Sequence, residues 1–127
     1  MAGAAILASV SVIEEEGLVE NAERVGALML RRLREMQDRY PFIGDVRGKG
    51  LLIGVELVRD RTTKEPLSKD VCVGLFKEGL RRGLISMLYN PSLRVNPALS
   101  IDEATAETAL AILDQVFAEL QRKGGWQ

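Results

Sequence analysis

Residues 43–58, IGDVRGKGLLIGVELV, decide the fold because large aliphatic side chains occupy every second position near the end of this stretch. These alternating positions are Leu51, Ile53, Val55 and Leu57. A period of two is typical of a strand that buries one face. Gly48 and Gly50 flank Lys49 and favour a tight reversal between two antiparallel strands. The stretch therefore predicts a β-hairpin.

Two helices are predicted before this hairpin. Residues 4–16 form the first, and Gly17 ends it because a glycine C-cap tolerates the left-handed conformation. Apolar residues then recur at steps of three and four from Leu18 to Met36, which predicts a second helix that ends before Pro41. The first helix is apolar on most sides and rich in small residues. We therefore expect it to pack against something larger than this chain provides.

Two further helices and a second pair of strands are predicted after the hairpin. Ser68 is the predicted N-cap of a third helix, and Ser100 forms a capping box with Glu103 at the start of the last helix. Between these helices, residues 84–89 (LISMLY) and 93–96 (LRVN) predict a second hairpin.

The elements then follow in the order helix, helix, strand, strand, helix, strand, strand, helix. This order predicts an α+β fold with a small, largely antiparallel sheet and helices packed on one side. Trp126 follows two glycines, and we expect it to lie in a mobile tail. The chain has 127 residues, 46% of them hydrophobic, which suits one domain with one core.

Composition excludes several classes of function. The net charge is −1 and no long basic run occurs, so we expect no nucleic-acid partner. The apolar run at residues 4–13 is too short to span a bilayer, so we expect no membrane association. The chain contains no histidine, which excludes histidine-based nucleophiles and histidine-ligated metals. The single cysteine, Cys72, cannot form an internal disulfide and indicates a reducing cytoplasm. We expect no metal site and no catalytic residue.

Five stretches, taken in order, resemble the C-terminal small domain of the class III aminotransferases. This family of fold-type-I enzymes depends on pyridoxal phosphate and includes ornithine, acetylornithine and 4-aminobutyrate aminotransferases. The stretches are ASVSVIEEEGLVENAERVG (8–26), IGDVRGKGLLIGVELV (43–58), TKEPL (63–67), LRRGLI (80–85) and LRVNPALSI (93–101). No single stretch is specific, but the ordered set covers nearly the whole chain.

The resemblance implies that residues 1–127 are a fragment of an enzyme that transfers an amino group from an amino acid or amine to a 2-oxo acid. Pyridoxal 5'-phosphate would be the cofactor of the intact enzyme. The lysine that binds it is expected in a large domain outside this chain, so the chain alone should neither bind the cofactor nor be active. Residues 1–17 resemble the helix that leads in from that domain, and Met1 is expected to be an internal methionine or a designed start. The intact enzyme is expected to be a homodimer.

Arg94 is the candidate site residue. It lies in an otherwise apolar segment that ends at Pro97, and a charged side chain in that place needs an anion. From the residues alone, three alternatives remain for what the guanidinium contacts: solvent, a carboxylate of this domain such as Glu56 or Asp45, or the carboxylate of a small substrate. The resemblance implies the last of these, and a guanidinium suits it because it can form two parallel hydrogen bonds to a carboxylate.

Other polar residues have simpler interpretations. Lys49 is predicted in a turn, and no phosphate-binding loop is expected because no helix follows. Arg47 is expected near the domain interface without a catalytic role, and Cys72 is predicted as a small core residue. Tyr89 and Asn90 are weaker candidates for the mouth of a pocket near Arg94.

Two points of function stay open. Asn96 and Ala98 depart from the family's usual pattern around Pro97, so the substrate is not specified, and related decarboxylases, mutases and racemases have similar small domains. A function from another class is a free-standing ligand-binding or dimerisation module without catalysis. Such a module should bury its first helix in a homodimer.

Overall fold

A computed structural model describes all 127 residues and contains four helices and one three-stranded sheet. The helices are α1 (Ala2–Glu15), α2 (Leu18–Arg39), α3 (Lys69–Arg81) and α4 (Glu103–Lys123). The strands are β1 (Ile43–Lys49), β2 (Leu52–Leu57) and β3 (Ser92–Val95), both pairs antiparallel with β2 in the centre. The predicted α+β fold class is confirmed, with one strand fewer than expected.

The central hairpin forms, but its turn is not centred on Lys49 as predicted, because Lys49 is the last residue of β1. Lys49 pairs with Leu52, so Gly50 and Leu51 make a two-residue loop, and Gly50 has a φ of 56°, which glycine adopts without a Cβ penalty. The four alternating aliphatic residues of 51–57 are all buried, whereas Leu52 is 61% exposed. The alternation therefore separates an inner sheet face, towards the helices, from an outer one.

Helix α2 covers the inner face of the sheet, and α4 packs against both α2 and α3. Their apolar stripes join the inner strand residues in one core of 22 buried side chains. The close contact between α2 and the hairpin depends on Gly26, because a Cβ there would lie 2.1 Å from the carbonyl oxygen of Gly50. The hairpin and α2 can therefore approach only where the helix has no side chain.

An aromatic cluster holds the C-terminal residues against the core, and this corrects the prediction of a mobile tail. Phe42 stacks against Tyr40 at a ring distance of 5.5 Å and meets Phe117 edge-on at 5.5 Å. Trp126 meets Phe42 edge-on at 5.4 Å, so the last residues fold back over the core. Gly124 and Gly125 both have positive φ, which turns the chain back from the end of α4.

The predicted strand at residues 84–89 is wrong. The N–H of Asn90 donates to the carbonyl of Met87 at 3.1 Å, and the N–H of Leu88 donates to Ser86 Oγ at 3.4 Å. These local bonds form a turn in place of a ladder, and Pro91 has no N–H to donate to a neighbouring strand. The segment keeps its apolar residues against the core without pairing with β3.

The capping residue predicted for the last helix, Ser100, is also wrong. Helix α3 begins as expected, with Ser68 Oγ accepting from the Val71 N–H. Helix α4 begins two residues later than Ser100 suggests, because Asp102 accepts the N–H of Thr105 at 2.7 Å. An Asp is as effective as a Ser in this position, so sequence preference alone did not distinguish them.

Helix α1 contacts only α2 and buries none of its residues. Its largest side chains are exposed to 64% at Ile6, 71% at Leu7 and 49% at Val10. The expectation that nothing in this chain covers the first helix is therefore confirmed. No helix is both long and apolar enough to cross a membrane.

Candidate functional site

The candidate arginine lies on the outer face of the sheet. On β3, Leu93 is buried in the core, and the next residue, Arg94, is exposed on the opposite side. Arg94 pairs in register with Gly54 of β2, which pairs in turn with Arg47 of β1. Side chains at paired antiparallel positions share a face, so this cross-strand row places two arginines on either side of a glycine.

A second outward row lies beside the first. It consists of Asp45, Glu56 and Ser92, one residue from each strand. We call the two rows together, residues 45, 47, 54, 56, 92 and 94, the outer sheet face. A shallow depression of about 270 Å³ lies on this face, with Arg47, Gly54 and Arg94 among its lining residues.

The acidic residues of the outer sheet face bind Arg47 and not Arg94. The guanidinium of Arg47 lies 2.6 Å from Asp45 Oδ2 and 2.6 Å from Glu56 Oε1. Hydrogen bonds, first to Asp45 and then to Glu56, raise the pKa of Arg47 above its ordinary value. The intradomain alternative for Arg94, a pair with Glu56 or Asp45, is therefore not observed, and the side chain of Arg94 takes part in no hydrogen bond or ion pair of the chain, although its backbone pairs with β2.

An apolar cavity of about 480 Å³ opens at the edge of β3. It extends between β3, α4 and the turn at residues 84–89, and Arg94 and Pro97 form part of its wall. Tyr89 also lines it and packs edge-on against Phe76 at a ring distance of 5.4 Å. Asn90, the other predicted mouth residue, is not part of the lining. Arg94 therefore lies between the polar outer sheet face and this apolar cavity.

Cys72 has the structural role that the sequence predicted, whereas Lys49 is the last residue of β1 and does not lie in the turn. Cys72 is fully buried, and burial raises the pKa of its thiol, which opposes the thiolate form needed for reactivity. No group of three acidic or sulfur ligands could hold a metal ion. A lysine that forms a Schiff base is desolvated, but all five lysines here are exposed. They are Lys49, Lys64, Lys69, Lys77 and Lys123. The residues present do not fit a pyridoxal phosphate pocket.

The pairing of Arg47 with Glu56 was missed by the sequence reasoning, which placed Arg47 only near the domain interface. The signal that could have found it is the register of the hairpin, provided that the turn is placed at Gly50 and Leu51 and not at Lys49. Counting outward from a two-residue loop at Gly50 and Leu51 sets position 45 near position 56 and position 47 opposite position 54. The irregularity between Ile43 and Asp45 comes after these pairs and does not disturb them.

The sequence model of the aminotransferase class-III family matches residues 1–117. The taurine–pyruvate aminotransferase of Bilophila wadsworthia is 40% identical over 129 residues, which cover 96% of this chain and 28% of that protein. The leucine/methionine racemase of Thermococcus litoralis is 39% identical over 124 residues, covering 95% of this chain and 27% of the racemase. This chain thus spans little more than a quarter of the length of these relatives.

Solved structures agree with the sequence relatives. An amine transaminase from an uncultivated Pseudomonas species, determined with pyridoxal phosphate bound as the internal aldimine, superposes with a TM-score of 0.82 at 32% identity. The match covers 89% of this chain and 26% of the transaminase. The family model matches most of the chain, and the structural likeness agrees with it. The chain belongs to the class III aminotransferase family.

Proposed function

We propose that this chain is the C-terminal small domain of a pyridoxal-phosphate-dependent aminotransferase and that Arg94 receives the substrate carboxylate. The reaction class is transfer of an amino group from an amino acid or amine to a 2-oxo acid. The observation that carries the proposal is an exposed guanidinium with no anion of its own, although Asp45 and Glu56 lie on the same sheet face. Membership of the aminotransferase family supports it.

The geometry around Arg94 suits this role. Pairing of β3 with β2 fixes the backbone of Arg94, so its side chain extends into the proposed cleft from a fixed position. Two parallel hydrogen bonds to a carboxylate would orient the acid, and the apolar wall formed by Tyr89 and Pro97 would accommodate carbon rather than charge. Excluding water from this contact strengthens it, which requires a cover from outside the chain.

The cofactor belongs elsewhere in this proposal. Bound pyridoxal phosphate supplies the electron sink for amino transfer. Since the five lysines of this chain are all exposed, the proposal assigns the cofactor's lysine to a large domain beyond these 127 residues. That domain is also the proposed cover for the exposed apolar side chains of α1, residues 1–17 being the segment that leads in from it. The intact protein is proposed to be a cytoplasmic homodimer, and the buried, unpaired thiol of Cys72 is compatible with that compartment.

The first test replaces the matching C-terminal segment of the Bilophila enzyme with this chain. In this chimera, Arg94→Ala should lower kcat/KM for pyruvate by on the order of 100-fold, the cost of leaving a carboxylate unpaired in a closed site. The same substitution should leave amino transfer to acetaldehyde, which has no carboxylate, nearly unchanged. The matched control is Arg122→Ala, since Arg122 is an exposed arginine that pairs with Glu119 on α4.

The second test needs no chimera. Pyruvate added to the isolated chain should shift the Nε–H resonance of Arg94 in arginine-edited NMR spectra, and lactamide, which is uncharged, should not. If Arg94→Ala lowered kcat/KM equally for pyruvate and acetaldehyde, the proposed role would be contradicted. It would also be contradicted if pyruvate shifted the resonances of other arginines but not that of Arg94.

A second candidate function is amino-acid racemisation. The specific observation in its favour is the leucine/methionine racemase, which matches nearly as well as the aminotransferase. The two reactions are distinguished in the intact protein by the products. A racemase converts one enantiomer of an amino acid into the other with no 2-oxo acid added, whereas an aminotransferase consumes one 2-oxo acid for each amine it converts.

A further inference from the structure

Glu56 lies close enough to Arg94 to compete with a substrate. Arg94 pairs with Gly54 and Ser92 pairs with Glu56, so Glu56 is the diagonal neighbour of Arg94 on the same sheet face. Diagonal neighbours in an antiparallel sheet lie about 7–8 Å apart, within reach of two long side chains. An ion pair between them would occupy the guanidinium that the proposed function requires.

Arg47 binds Glu56 from β1, the strand on the opposite side of β2 from Arg94. Its guanidinium contacts Asp45 of β1 and Glu56 of β2 at 2.6 Å each, so the Glu56 carboxylate is bound on the β1 side and not on the β3 side. The four charged groups of the outer sheet face, Asp45, Glu56, Arg47 and Arg94, sum to zero. Without Arg47, two carboxylates would face one guanidinium.

Gly54 leaves the space between the two arginines open. A Cβ at this position would meet only Arg47 atoms, at 3.9 Å, so the chain's own packing does not require glycine here. No side chain of β2 therefore stands between Glu56 and Arg94. What separates the two charges is the competing bond of Glu56 to Arg47, and not a steric barrier.

We propose that Arg47 is a positioning residue that holds Glu56 away from Arg94 and so keeps the Arg94 guanidinium available to a substrate carboxylate. This inference rests on the proposed role of Arg94. Arg47 itself is 60% exposed at its side chain, and its ion pairs are with Asp45 and Glu56. Its effect is exerted through Glu56.

The expected size of the effect follows from the exposure of the groups. Ion pairs between exposed side chains are weak, and their strength corresponds to at most about a fivefold change in an equilibrium. Loss of Arg47 should therefore weaken carboxylate binding at Arg94 by about two- to fivefold and should not abolish it. An effect of this size is measurable by titration.

The test uses the full 127-residue chain and arginine-edited NMR spectra. In Arg47→Met, the Arg94 Nε–H resonance should shift as the solution is acidified through the range in which carboxylates titrate, because Glu56 now pairs with Arg94. In Arg47→Met combined with Glu56→Gln, this titration should disappear. In Arg47→Met combined with Asp45→Asn, the pH-dependent shift of the Arg94 resonance should remain, because Asp45 lies two strands away from Arg94.

Pyruvate binding provides the second measurement. Its apparent affinity at Arg94 should fall about two- to fivefold in Arg47→Met and recover in the double variant with Glu56→Gln. Arg122→Met, which removes an exposed ion pair on α4, is the matched control and should change neither measurement. Arg47→Gln replaces Arg47→Met if the latter does not fold.

The outcomes separate the two proposals. If pyruvate does not shift the Arg94 resonance in the unaltered chain, the proposed role of Arg94 as carboxylate receptor is wrong. The pH dependence of the same resonance in Arg47→Met then still decides whether Arg47 holds Glu56 away from Arg94. An Arg94 resonance that shows the same pH dependence with and without Arg47 would overturn the inference. So would a loss of pyruvate affinity in Arg47→Met that Glu56→Gln does not restore.

Discussion

At the scale of single residues, Tyr40 is a buried residue whose hydroxyl makes a polar contact between two helices. Its hydroxyl donates to the Asp114 carboxylate at 2.6 Å and joins the end of α2 to α4. Arg39 binds the same carboxylate at 2.9 Å. Burial and, after it, the bond to Asp114 raise the pKa of Tyr40 to about 12 from an ordinary value of 10.0.

Tyr40→Phe should lower the free energy of unfolding by about 1–2 kcal/mol, the contribution of a hydrogen bond to a charged group that a second residue also holds. The raised pKa sets the pH dependence. The folded protein holds this proton more tightly than the unfolded chain, so the contribution is complete below pH 10 and is lost as the pH rises towards 12. Urea unfolding across that range should show a steeper decline for the native chain than for Tyr40→Phe. Parallel declines would contradict the assignment.

The candidate site illustrates how far single residues could be interpreted from the sequence. Arg94 was a candidate because a charge within an apolar strand is unusual, and Glu56 was named as an alternative ion-pair partner for it, which the structure does not show. That Glu56 binds Arg47 instead depends on which strand positions face each other. A register of this kind is a property of two strands, and no single residue contains it.

At the scale of elements, the helix α2 and the hairpin are in contact through two glycines, Gly26 and Gly50. Gly26→Ala places a Cβ within 2.1 Å of the Gly50 carbonyl oxygen, which requires the hairpin to move. It should destabilise the chain by about 1–3 kcal/mol, even though alanine favours a helix over glycine by about 1 kcal/mol.

Gly74→Ala in α3 is the matched control, because a Cβ there meets nothing within 4 Å. It should stabilise the chain by about 0.5–1 kcal/mol through helix preference alone. Thermal unfolding of the two variants should therefore move in opposite directions. Stabilisation by both substitutions would mean that the hairpin does not rest on α2 as described.

Element boundaries were predictable to the extent that local chemistry sets them. Ser68 caps α3 as expected, with its side chain accepting the Val71 N–H. The start of α4 shifted to Asp102, and residues 84–89 turned instead of pairing, because Asn90 and Leu88 find acceptors within the segment itself. An apolar run specifies burial, and it does not specify strand pairing.

At the scale of the whole molecule, α1 is the helix that contributes no residue to the core. Since its apolar side chains at Ile6 and Leu7 are mostly exposed, we expect the isolated chain to self-associate at micromolar or higher concentration. The double variant Ile6→Glu and Leu7→Glu should shift the mass measured by light scattering towards the monomer. Ala118→Glu with Gln121→Glu, which adds the same charge on exposed positions of α4, is the control and should not. A monomeric native chain at all concentrations would contradict this expectation.

The sequence by itself determined the α+β class, the central hairpin, the four helices and the candidate arginine, because periods of two and three to four and the helix caps are local properties of the chain. Only the tertiary structure decided the rest. Trp126 folds back onto Phe42, Gly26 meets Gly50, and Arg47 holds Glu56 beside an unpartnered Arg94. Each of these joins positions from different elements, and their proximity follows from how the elements pack and pair, which no local pattern encodes.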